Sequence, residues 1–540
     1  MSPAELANAL ALVGVVILIA ALLSGLVERS GVPQVAIFIG LGAALGPAGL
    51  GALDVRLDSP LLHVVATLSL ALILFTDALT LNLREAREHR TLALLALGPG
   101  TLLSAALFAW AAWWLLDFSA PAAAILGAAL ASTDPVLLKG LLQRPELPAA
   151  ARHALRLESG LNDVVLLPIV LVALAFAGQQ QLAAESWARL GLDLFLLGPG
   201  AGIAVGVFGL ATLDLMRRRV GVRRDYESLY SLGIAFAAFA AAESLHGSGF
   251  LAAFGAGLTI AAFDVELCDC FKEYGETTAE LALLLTFVLL GGSLIWSGLP
   301  VATGATLAFV ALVLLARPAI YLAAFAPAHI DPPARRLVAW FGPRGLSTLL
   351  LALLPVFVGV PEGAAIFRSA CLVVLVSIFV HGGTLIWLGR RARRAAPPAA
   401  GPKVDGPKLI ATLPVAPSPA PASATVASLE TISIAEVQAL VAAGEPLVPL
   451  DVRRDDARGE SSIQARGSLR VSPLLAVADA RRLALPKDAW LVAYCTCPNE
   501  ETSLRVTREL IRNGWPLTRA LVGGFEAWRS AGLPVEPSGT

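Results

Sequence analysis

The chain has 540 residues, of which 56% are hydrophobic and 15% are charged, and its formal net charge is -1. An average soluble domain has about 25% charged residues, so the composition excludes a protein that is soluble throughout, and the balanced charge gives no argument for a nucleic acid as partner. The 5 cysteines are odd in number and scattered, which argues against a disulfide framework and favours a reducing compartment.

Apolar runs long enough to span a membrane recur over the first 390 residues. An α-helix needs about 20 residues to cross a hydrocarbon core of about 30 Å, and a single signal peptide does not account for so many runs. This part of the chain is predicted to be an all-α polytopic membrane domain. We expect thirteen transmembrane helices, at residues 6–27, 33–50, 60–82, 91–116, 121–142, 154–177, 190–214, 228–245, 248–264, 278–297, 300–325, 335–359 and 365–388.

Lys and Arg in the predicted loops test this number of spans, because cytoplasmic loops are enriched in them. One alternating set of loops carries nearly all of them, while the other set holds only Arg56, Arg189 and Arg368. The asymmetry requires an odd number of spans. It predicts a multi-pass protein of the cytoplasmic (inner) membrane, with the N-terminus outside and the C-terminus in the cytoplasm.

The middle of the fifth span contains Ser132-Thr133-Asp134-Pro135. A carboxylate inside a span costs about 3 kcal/mol even on the lenient insertion scale, so it needs a reason. Pro135 removes a backbone donor, and we predict that the helix is interrupted here. Interrupted helices at mid-membrane are typical of transporter ion sites. The alternative is a proline kink that Asp134 caps.

A second polar cluster, Glu158 to Asp163, lies in the first half of the sixth span. Glu158 and Asn162 are four residues apart and share a helix face, and Ser159 and Asp163 form the adjacent pair. A packed polar helix interface is the alternative to a functional site.

The two clusters together offer the oxygen ligands that a hard monovalent cation prefers. Asp134, Asp163, Thr133 and Ser159 are the candidate ligands, with Asn162 and Glu158 completing the polar set. Protons and the cation compete for the same two carboxylates, which is what exchange of one for the other requires.

Two arginines also lie inside predicted spans. Arg317 stays protonated and needs a buried acidic partner, for which Glu158 is the candidate; snorkelling to the cytoplasmic side is the alternative. Arg344 belongs to Phe341-Gly342-Pro343-Arg344-Gly345, which interrupts span twelve as Pro135 interrupts span five. The two spans would be matching broken helices of inverted repeats, where Arg344 either balances helix-end dipoles or is structural.

Composition changes after Arg394. Residues 391–427 are rich in Pro and Ala and predict an extended linker. Residues 428–540 predict a small α/β domain, with a capping box formed by Ser433 and Glu436, strands at 447–452 and 491–494, and a helix at 502–513.

The membrane motifs together resemble the cation:proton antiporter-1 family, the sodium/proton antiporters and exchangers of the NhaP type. The resemblance covers about residues 5–390 and rests on 132–135, 158–163, Gly247-Ser248-Gly249-Phe250-Leu251, Arg317 and 342–345. It implies thirteen helices with crossed broken helices, a homodimer in lipid, an elevator-like movement and a role in pH homeostasis, without a cofactor.

The same resemblance implies roles for individual residues. Asp134 and Asp163 bind Na⁺, Li⁺ or K⁺ and protons, Thr133 and Ser159 contribute oxygens, and Glu158 with Arg317 and Asn162 forms a supporting polar bridge. The Asn162-Asp163 pair differs from the paired aspartates of electrogenic relatives, which implies one cation per proton.

Residues 428–540 resemble a rhodanese-like domain through 450–453, Cys495 and Gly523-Gly524-Phe525-Glu526-Ala527-Trp528. The family's sulfur-carrying nucleophile stands at the position of Cys495. Glu500 and Glu501 follow in this loop without an arginine, and acidic neighbours repel anionic sulfur donors. We therefore expect a regulatory domain that senses sulfur or redox state, with Cys497 as a resolving thiol.

Three classes of function remain open from the sequence. The first is an antiporter that exchanges a monovalent cation for protons. The second is a membrane-anchored sulfurtransferase that uses Cys495, although thirteen spans with buried carboxylates exceed what an anchor needs. The third is a sensor that binds a cation without moving it.

Overall fold

The structure is a computed structural model that describes residues 11, 13–19, 22, 34–81, 83–142, 147–178, 189–220, 224–263, 269–328, 330–395, 430–453, 463–473, 476–496 and 500–537. It forms two compact units, Met1–Ala395 and Ala396–Thr540. Most of the first predicted span and the predicted linker from residue 396 onward lie outside the described residues.

The first unit is helical, because a helix satisfies its backbone hydrogen bonds within one apolar segment. Its helices are α1 (Gln34–Leu45), α2 (Pro60–Thr80), α3 (Leu83–Glu88), α4 (Arg90–Leu95), α5 (Leu103–Leu116), α6 (Ala120–Ala131), α7 (Pro135–Leu142), α8 (Ala149–Ala177), α9 (Gly198–Arg219), α10 (Arg224–Ser244), α11 (Gly249–Ala262), α12 (Asp269–Leu289), α13 (Gly304–Ala324), α14 (Pro332–Trp340), α15 (Leu346–Phe357) and α16 (Gly363–Ala395). Wider π-helical turns occupy Ala96–Leu102, Asp193–Leu197 and Leu290–Leu294.

Within the described residues, 8 helices are long and apolar enough to cross a membrane, and four shorter helices are apolar. Each predicted span from the second to the thirteenth overlaps one of them. The last helix of the unit, α16, continues to Ala395, past residue 391, where the predicted linker begins. Arg and Ala are strong helix formers, and basic residues favour a helix C-terminus; the first prolines after the helix are Pro397 and Pro398.

Two helices are broken near the centre of the unit, as the sequence predicts. Residues 132–134 are non-helical between α6 and α7, and residues 341–345 are non-helical between α14 and α15. Residues 122–131 of α6, apart from Ala124, and residues 346–355 of α15 are buried. Protein therefore surrounds the breaks, which is the condition under which non-helical backbone is tolerated at membrane depth.

The second unit has two small sheets and four helices in its described residues. Strands β1 (Thr431–Ile432), β6 (Thr518–Leu521), β5 (Trp490–Tyr494), β2 (Leu447–Asp451) and β4 (Leu469–Arg470) form a parallel sheet in that order, and β3 (Ile463–Ala465) pairs antiparallel with β7 (Val535–Pro537). The helices are α17 (Ile434–Ala442), α18 (Ala476–Arg482), α19 (Glu501–Arg512) and α20 (Gly524–Ser530). The predicted capping box of Ser433 and Glu436 is present at the start of α17.

Candidate functional site

The two non-helical segments cross and contact each other through Asp134. Its backbone N–H donates to the carbonyl of Pro343 at 3.0 Å. Its side-chain Oδ1 accepts from the amide of Val136 at 2.9 Å, and Oδ2 accepts from the amide of Leu346 at 2.7 Å. Asp134 thus caps the N-termini of α7 and α15 at once, where helix dipoles favour a negative charge. The amide of Leu137, in the first turn of α7, also acts on this carboxylate. A carboxylate has about four lone-pair sites, so about one remains for another ligand.

Asp163, on α8, faces the same crossing. Its Oδ1 accepts from the hydroxyl of Ser132 at 2.6 Å, and Ser347, in the first turn of α15, donates to it as well. Asp163 is 4% exposed and Asp134 is 1% exposed. The folded chain therefore brings together two carboxylates that are 29 residues apart in sequence.

Asn162 binds the first broken segment. Its Nδ2 donates to the Thr133 hydroxyl at 2.8 Å, whereas its Oδ1 is buried and has no hydrogen-bond partner in the described structure. An unpaired buried carbonyl oxygen costs about 1–3 kcal/mol, which a cation placed beside it would offset. The implied contact of Asn162 with Glu158 and Arg317 is not among its hydrogen bonds; Asn162 supports Thr133 instead.

Ser159 lies on the same helix, one turn before Asp163. Its hydroxyl makes only a long 3.4 Å hydrogen bond to the carbonyl of Arg156, three residues earlier. The side chain is 4% exposed. Its lone pairs are therefore available to a ligand between α8 and the crossing.

Glu158 forms the buried ion pair with Arg317 that the sequence predicts. The Nη2 of Arg317 lies 2.7 Å and 2.9 Å from the two carboxylate oxygens, and Nη1 donates to the carbonyls of Val338 and Ala339 at the end of α14. The hydroxyl of Tyr321 also donates to Glu158, at 2.8 Å. Two side chains, Arg317 and Tyr321, thus hold Glu158 through three hydrogen bonds, and the charge of its carboxylate is paired.

Arg344 is 1% exposed and lies next to the second break. Its Nη1 donates to the carbonyl of Gly342 at 2.9 Å, just past the end of α14, and its backbone N–H donates to the Ser377 hydroxyl at 2.8 Å. A cation at the C-terminus of a helix offsets the helix dipole. This placement agrees with the dipole-balancing alternative given above.

Sequence reasoning missed three contributors to this region: Tyr321, Ser347 and the amide of Leu346. Tyr321 follows Arg317 by four residues, so it lies on the same face of α13, and its ring packs 4.1 Å from the Arg317 guanidinium carbon. This four-residue spacing could have identified Tyr321 from the sequence. Ser347 and Leu346 reach the site only because the two broken segments cross, and no spacing within the sequence reports that crossing.

Gly345 stands directly against the carboxylate of Asp134, so an added Cβ would collide with it. We expect Gly345→Ala to lower the free energy of unfolding by about 2 kcal/mol or more, because overpacking a tight interior displaces its neighbours. Gly160→Ala is the matched control, since an added Cβ there meets nothing within 4 Å and Ala favours a helix over Gly by about 1 kcal/mol. Thermal unfolding of the detergent-solubilised protein measures both. Equal melting temperatures for the two variants would contradict the close approach.

Taken together, the crossing holds two carboxylates that no basic side chain of the described residues pairs with, together with several oxygen donors. An uncompensated buried charge costs several kcal/mol. A proton or a cation on these carboxylates would offset that cost.

In the second unit, Cys495 follows β5 at the carboxyl end of the parallel sheet. Its side chain is 1% exposed and its Sγ lies 3.6 Å from the Ser503 hydroxyl. Its carbonyl accepts the amide of Phe525 at 3.0 Å. Cys497, the expected resolving thiol, lies outside the described residues. A reactive thiol needs solvent access, so Cys495 is shielded in this arrangement.

Comparison with known proteins gives concordant similarities for the membrane unit. Residues 15–391 match the family model described as sodium/hydrogen exchanger, transmembrane. The K(+)/H(+) antiporter NhaP of Alkalimonas amylolytica is 26% identical over 395 residues, which are 72% of this chain and 68% of that protein. An uncharacterized Na(+)/H(+) exchanger of Mycobacterium bovis is 30% identical over 423 residues, 71% of this chain and 74% of that protein.

The fold is also similar to that of a solved transporter. The sodium proton antiporter MjNhaP1 of Methanocaldococcus jannaschii, determined at pH 8, superposes with a TM-score of 0.58 and 20% sequence identity. The match covers 70% of this chain and 100% of that chain. At this identity the likeness concerns the fold alone.

Proposed function

Because this chain belongs to the sodium/hydrogen exchanger family, a family of multi-pass membrane transporters and not of enzymes, we propose that Asp134 and Asp163 form its exchange site. The protein is a cation/proton antiporter. In the proposed mechanism the two carboxylates bind either the cation or protons, and alternating access exposes them to one side of the membrane at a time. Thr133, Ser159 and the orphan oxygen of Asn162 are proposed to supply further oxygen ligands.

The observation that carries this proposal is the pair of buried carboxylates without a basic partner. Arg317 pairs with Glu158 instead, so its charge is not available to Asp134 or Asp163. An empty, fully ionised site would leave two negative charges in a medium of low dielectric constant, where their repulsion is strong. The site is therefore expected to cross the membrane loaded, with either cation or proton, which is the condition for obligatory exchange.

The stoichiometry follows from the number of acids. Asn162 cannot titrate, so the crossing holds two carboxylates and not three. Asp134 accepts two amide hydrogen bonds, which stabilise its ionised form. We propose that one negative charge is kept and the other is neutralised alternately by one cation or one proton, so that exchange is electroneutral.

The choice of cation is a separate proposal. Two kinds of name occur among similar proteins: K(+)/H(+) antiporter for the Alkalimonas relative and sodium proton antiporter for the Methanocaldococcus structure. Both ions are hard and monovalent and bind oxygen ligands. We propose Na⁺ or K⁺ as the transported cation, with Li⁺ as a competitor, in a homodimer of the inner membrane whose N-terminus lies outside.

Proton flux in proteoliposomes tests the transport function. Addition of Na⁺, K⁺ or Li⁺ to one side should dissipate an imposed pH gradient. In the Na⁺ assays, valinomycin and K⁺ are used to clamp the membrane potential at different values. The rate of Na⁺-dependent proton flux should be the same at each potential. Competition among the three cations then ranks their affinities. A wild-type protein without cation-dependent flux would exclude antiport, and a potential-dependent rate would exclude electroneutrality.

For the C-terminal α/β domain we propose a regulatory role. Cys495 is buried beside Ser503, and Glu500, whose carboxylate accepts the amide of Gly523 at 2.7 Å, adds negative charge to this loop region. Both features disfavour rapid reaction with an anionic sulfur donor. They argue against the alternative of a membrane-anchored sulfurtransferase.

Cys495→Ser is expected to leave basal exchange within about twofold of the wild type, because exchange is assigned to the other unit. Any response of flux to persulfide or peroxide should disappear in the same variant. Flux with and without a reductant measures both. Cys371→Ser is the matched control, since Cys371 is a buried thiol of the membrane unit. Loss of basal exchange in Cys495→Ser would contradict the division of roles.

A further inference from the structure

Two side chains on one turn of α16, Ser377 and His381, contact both ends of the second broken segment. The Ser377 hydroxyl accepts the backbone N–H of Arg344 at 2.8 Å. The Nε2 of His381 lies 3.2 Å from the carbonyl of Trp340. Trp340 is the last residue of α14 and Arg344 the fourth residue of the break, so the two contacts bracket the non-helical backbone.

The two side chains also bind each other. The Nδ1 of His381 lies 3.1 Å from the Ser377 hydroxyl oxygen and 3.0 Å from the Ser377 carbonyl. The neutral tautomer with hydrogen on Nε2 gives each ring nitrogen one hydrogen-bond partner. Its Nε2–H donates to Trp340, its Nδ1 accepts from the Ser377 hydroxyl, and that hydroxyl oxygen accepts from Arg344. Ser377 is 0% exposed and His381 is 6% exposed, so water does not replace these bonds.

The bracketed segment carries the contacts to Asp134 on its other side. The carbonyl of Pro343 accepts the Asp134 amide, and the amide of Leu346 donates to the Asp134 carboxylate at 2.7 Å. The segment has few hydrogen bonds of its own: the amides of Phe341 and Gly342 donate back to α14, and Arg344 Nη1 donates to the Gly342 carbonyl. The position of the Leu346 amide therefore depends on what holds residues 341–345 from outside.

We propose that Ser377 and His381 are positioning residues for the exchange site. They fasten the second broken segment to α16 and thereby fix the Pro343 carbonyl and the Leu346 amide on Asp134. The inference rests on the proposed function of Asp134 as a cation ligand. Neither side chain touches the ion site, and both act through the backbone of residues 341–345.

The geometry distinguishes this role from simple packing. A packing defect reduces the amount of folded protein, and with it the maximal rate, but leaves the affinity of the remaining molecules unchanged. A loosened Leu346 amide misorients the carboxylate that binds the cation, so the half-saturating cation concentration rises. One lost charge-assisted hydrogen bond corresponds to about a tenfold change.

The test uses the full chain in proteoliposomes, with Na⁺-dependent and K⁺-dependent proton flux measured over a range of cation concentrations. His381→Leu and Ser377→Ala should each raise the half-saturating concentration about tenfold. His381→Gln, whose amide can donate to the Trp340 carbonyl, should stay within about threefold of the wild type. Thr384→Ala is the matched control on α16, because the Thr384 hydroxyl donates only to Val380 in its own helix.

The outcomes separate the two proposals. Unchanged half-saturation in both His381→Leu and Ser377→Ala, with only the maximal rate lowered, overturns the positioning role while antiport stands. Failure of the wild type to exchange overturns the proposed function itself. If His381→Leu does not fold, Ser377→Ala decides the question alone: a raised half-saturating concentration supports the proposal, and an unchanged one refutes it.

Discussion

Replacement of Asp163 by Asn is expected to abolish cation-dependent proton flux while leaving the fold intact. Asn has nearly the same shape as Asp, and its side-chain oxygen can still accept from Ser132, as the carboxylate does at 2.6 Å. The negative charge that binds the cation and the proton is gone. Loss of a charged partner at a buried site costs about 3–5 kcal/mol, and every 1.4 kcal/mol is a factor of about ten, so cation binding weakens at least about 100-fold.

Asp58→Asn is the matched control for this experiment. Asp58 is exposed and pairs with the equally exposed Arg56 in the segment before α2, so the same chemical change there removes no buried charge. Flux and thermal unfolding are measured on both variants beside the wild type. Wild-type flux in Asp163→Asn would exclude Asp163 as a carrier of the exchanged ions. A large loss of thermal stability would show that the carboxylate has a structural role instead.

Asp134→Asn should also abolish cation-dependent proton flux, and it should lower the melting temperature more than Asp163→Asn does. Asp134 accepts the amides of Val136 and Leu346 at two helix N-termini. An amide side chain offers only one acceptor oxygen, and its NH₂ group would face the other backbone donor. The contrast between the two variants therefore reports which carboxylate caps the N-termini of the two broken helices.

The sequence predicted the site residues better than their arrangement. Pro135 and Gly342-Pro343 showed where the two spans break, and both breaks are present. The pairing of Glu158 with Arg317 followed from the charge of a guanidinium in an apolar run, and the ion pair is present. The breaks depend on residues within each segment, and the ion pair depends on the need of a buried guanidinium for a negative partner.

The sequence could not predict the contacts that form where distant segments of the chain cross. Leu346 and Ser347 look like ordinary residues at the start of an apolar helix, and only their approach to Asp134 and Asp163 gives them a role. Ser377 and His381 stand at a spacing that fits any packed helix face. The family resemblance implies that Asn162 belongs to the Glu158 bridge, yet its side chain donates to Thr133 in the first broken segment. The spacing along α8 does not reveal which neighbour the side chain meets.

In the small α/β domain, the sequence predicted the secondary structure better than the surroundings of the candidate residue. Its strands and its capping box were evident from apolar runs and from the spacing of Ser433 and Glu436. The depth of Cys495 beneath the surface was not evident. A cysteine after a strand can face solvent or the core, and here its thiol is covered.

The ion pair of Glu158 and Arg317 yields the largest expected effect on stability. Arg317→Met leaves the buried carboxylate of Glu158 with only Tyr321 as donor, and breaking one side of a buried pair costs about 3–5 kcal/mol. Replacing both partners, as Glu158→Leu with Arg317→Met, removes both charges and should recover most of that loss. Thermal unfolding of the three proteins in detergent measures the coupling. Arg56→Met, at an exposed pair, should change little.

The double variant also decides what Glu158 does. If Glu158 only supports the site, the double variant keeps cation-dependent flux per folded molecule with a half-saturating concentration close to that of the wild type. If Glu158 is a cation ligand, flux disappears even though stability recovers. The structure favours the first result, because both Glu158 oxygens already lie within 2.9 Å of Arg317, and Asp134 and Asp163 alone among the three acids have no basic partner in the described residues. A double variant that stays as unstable as Arg317→Met would instead mean that the hydrogen bonds from Arg317 to Val338 and Ala339, and not its charge, hold α13 against α14.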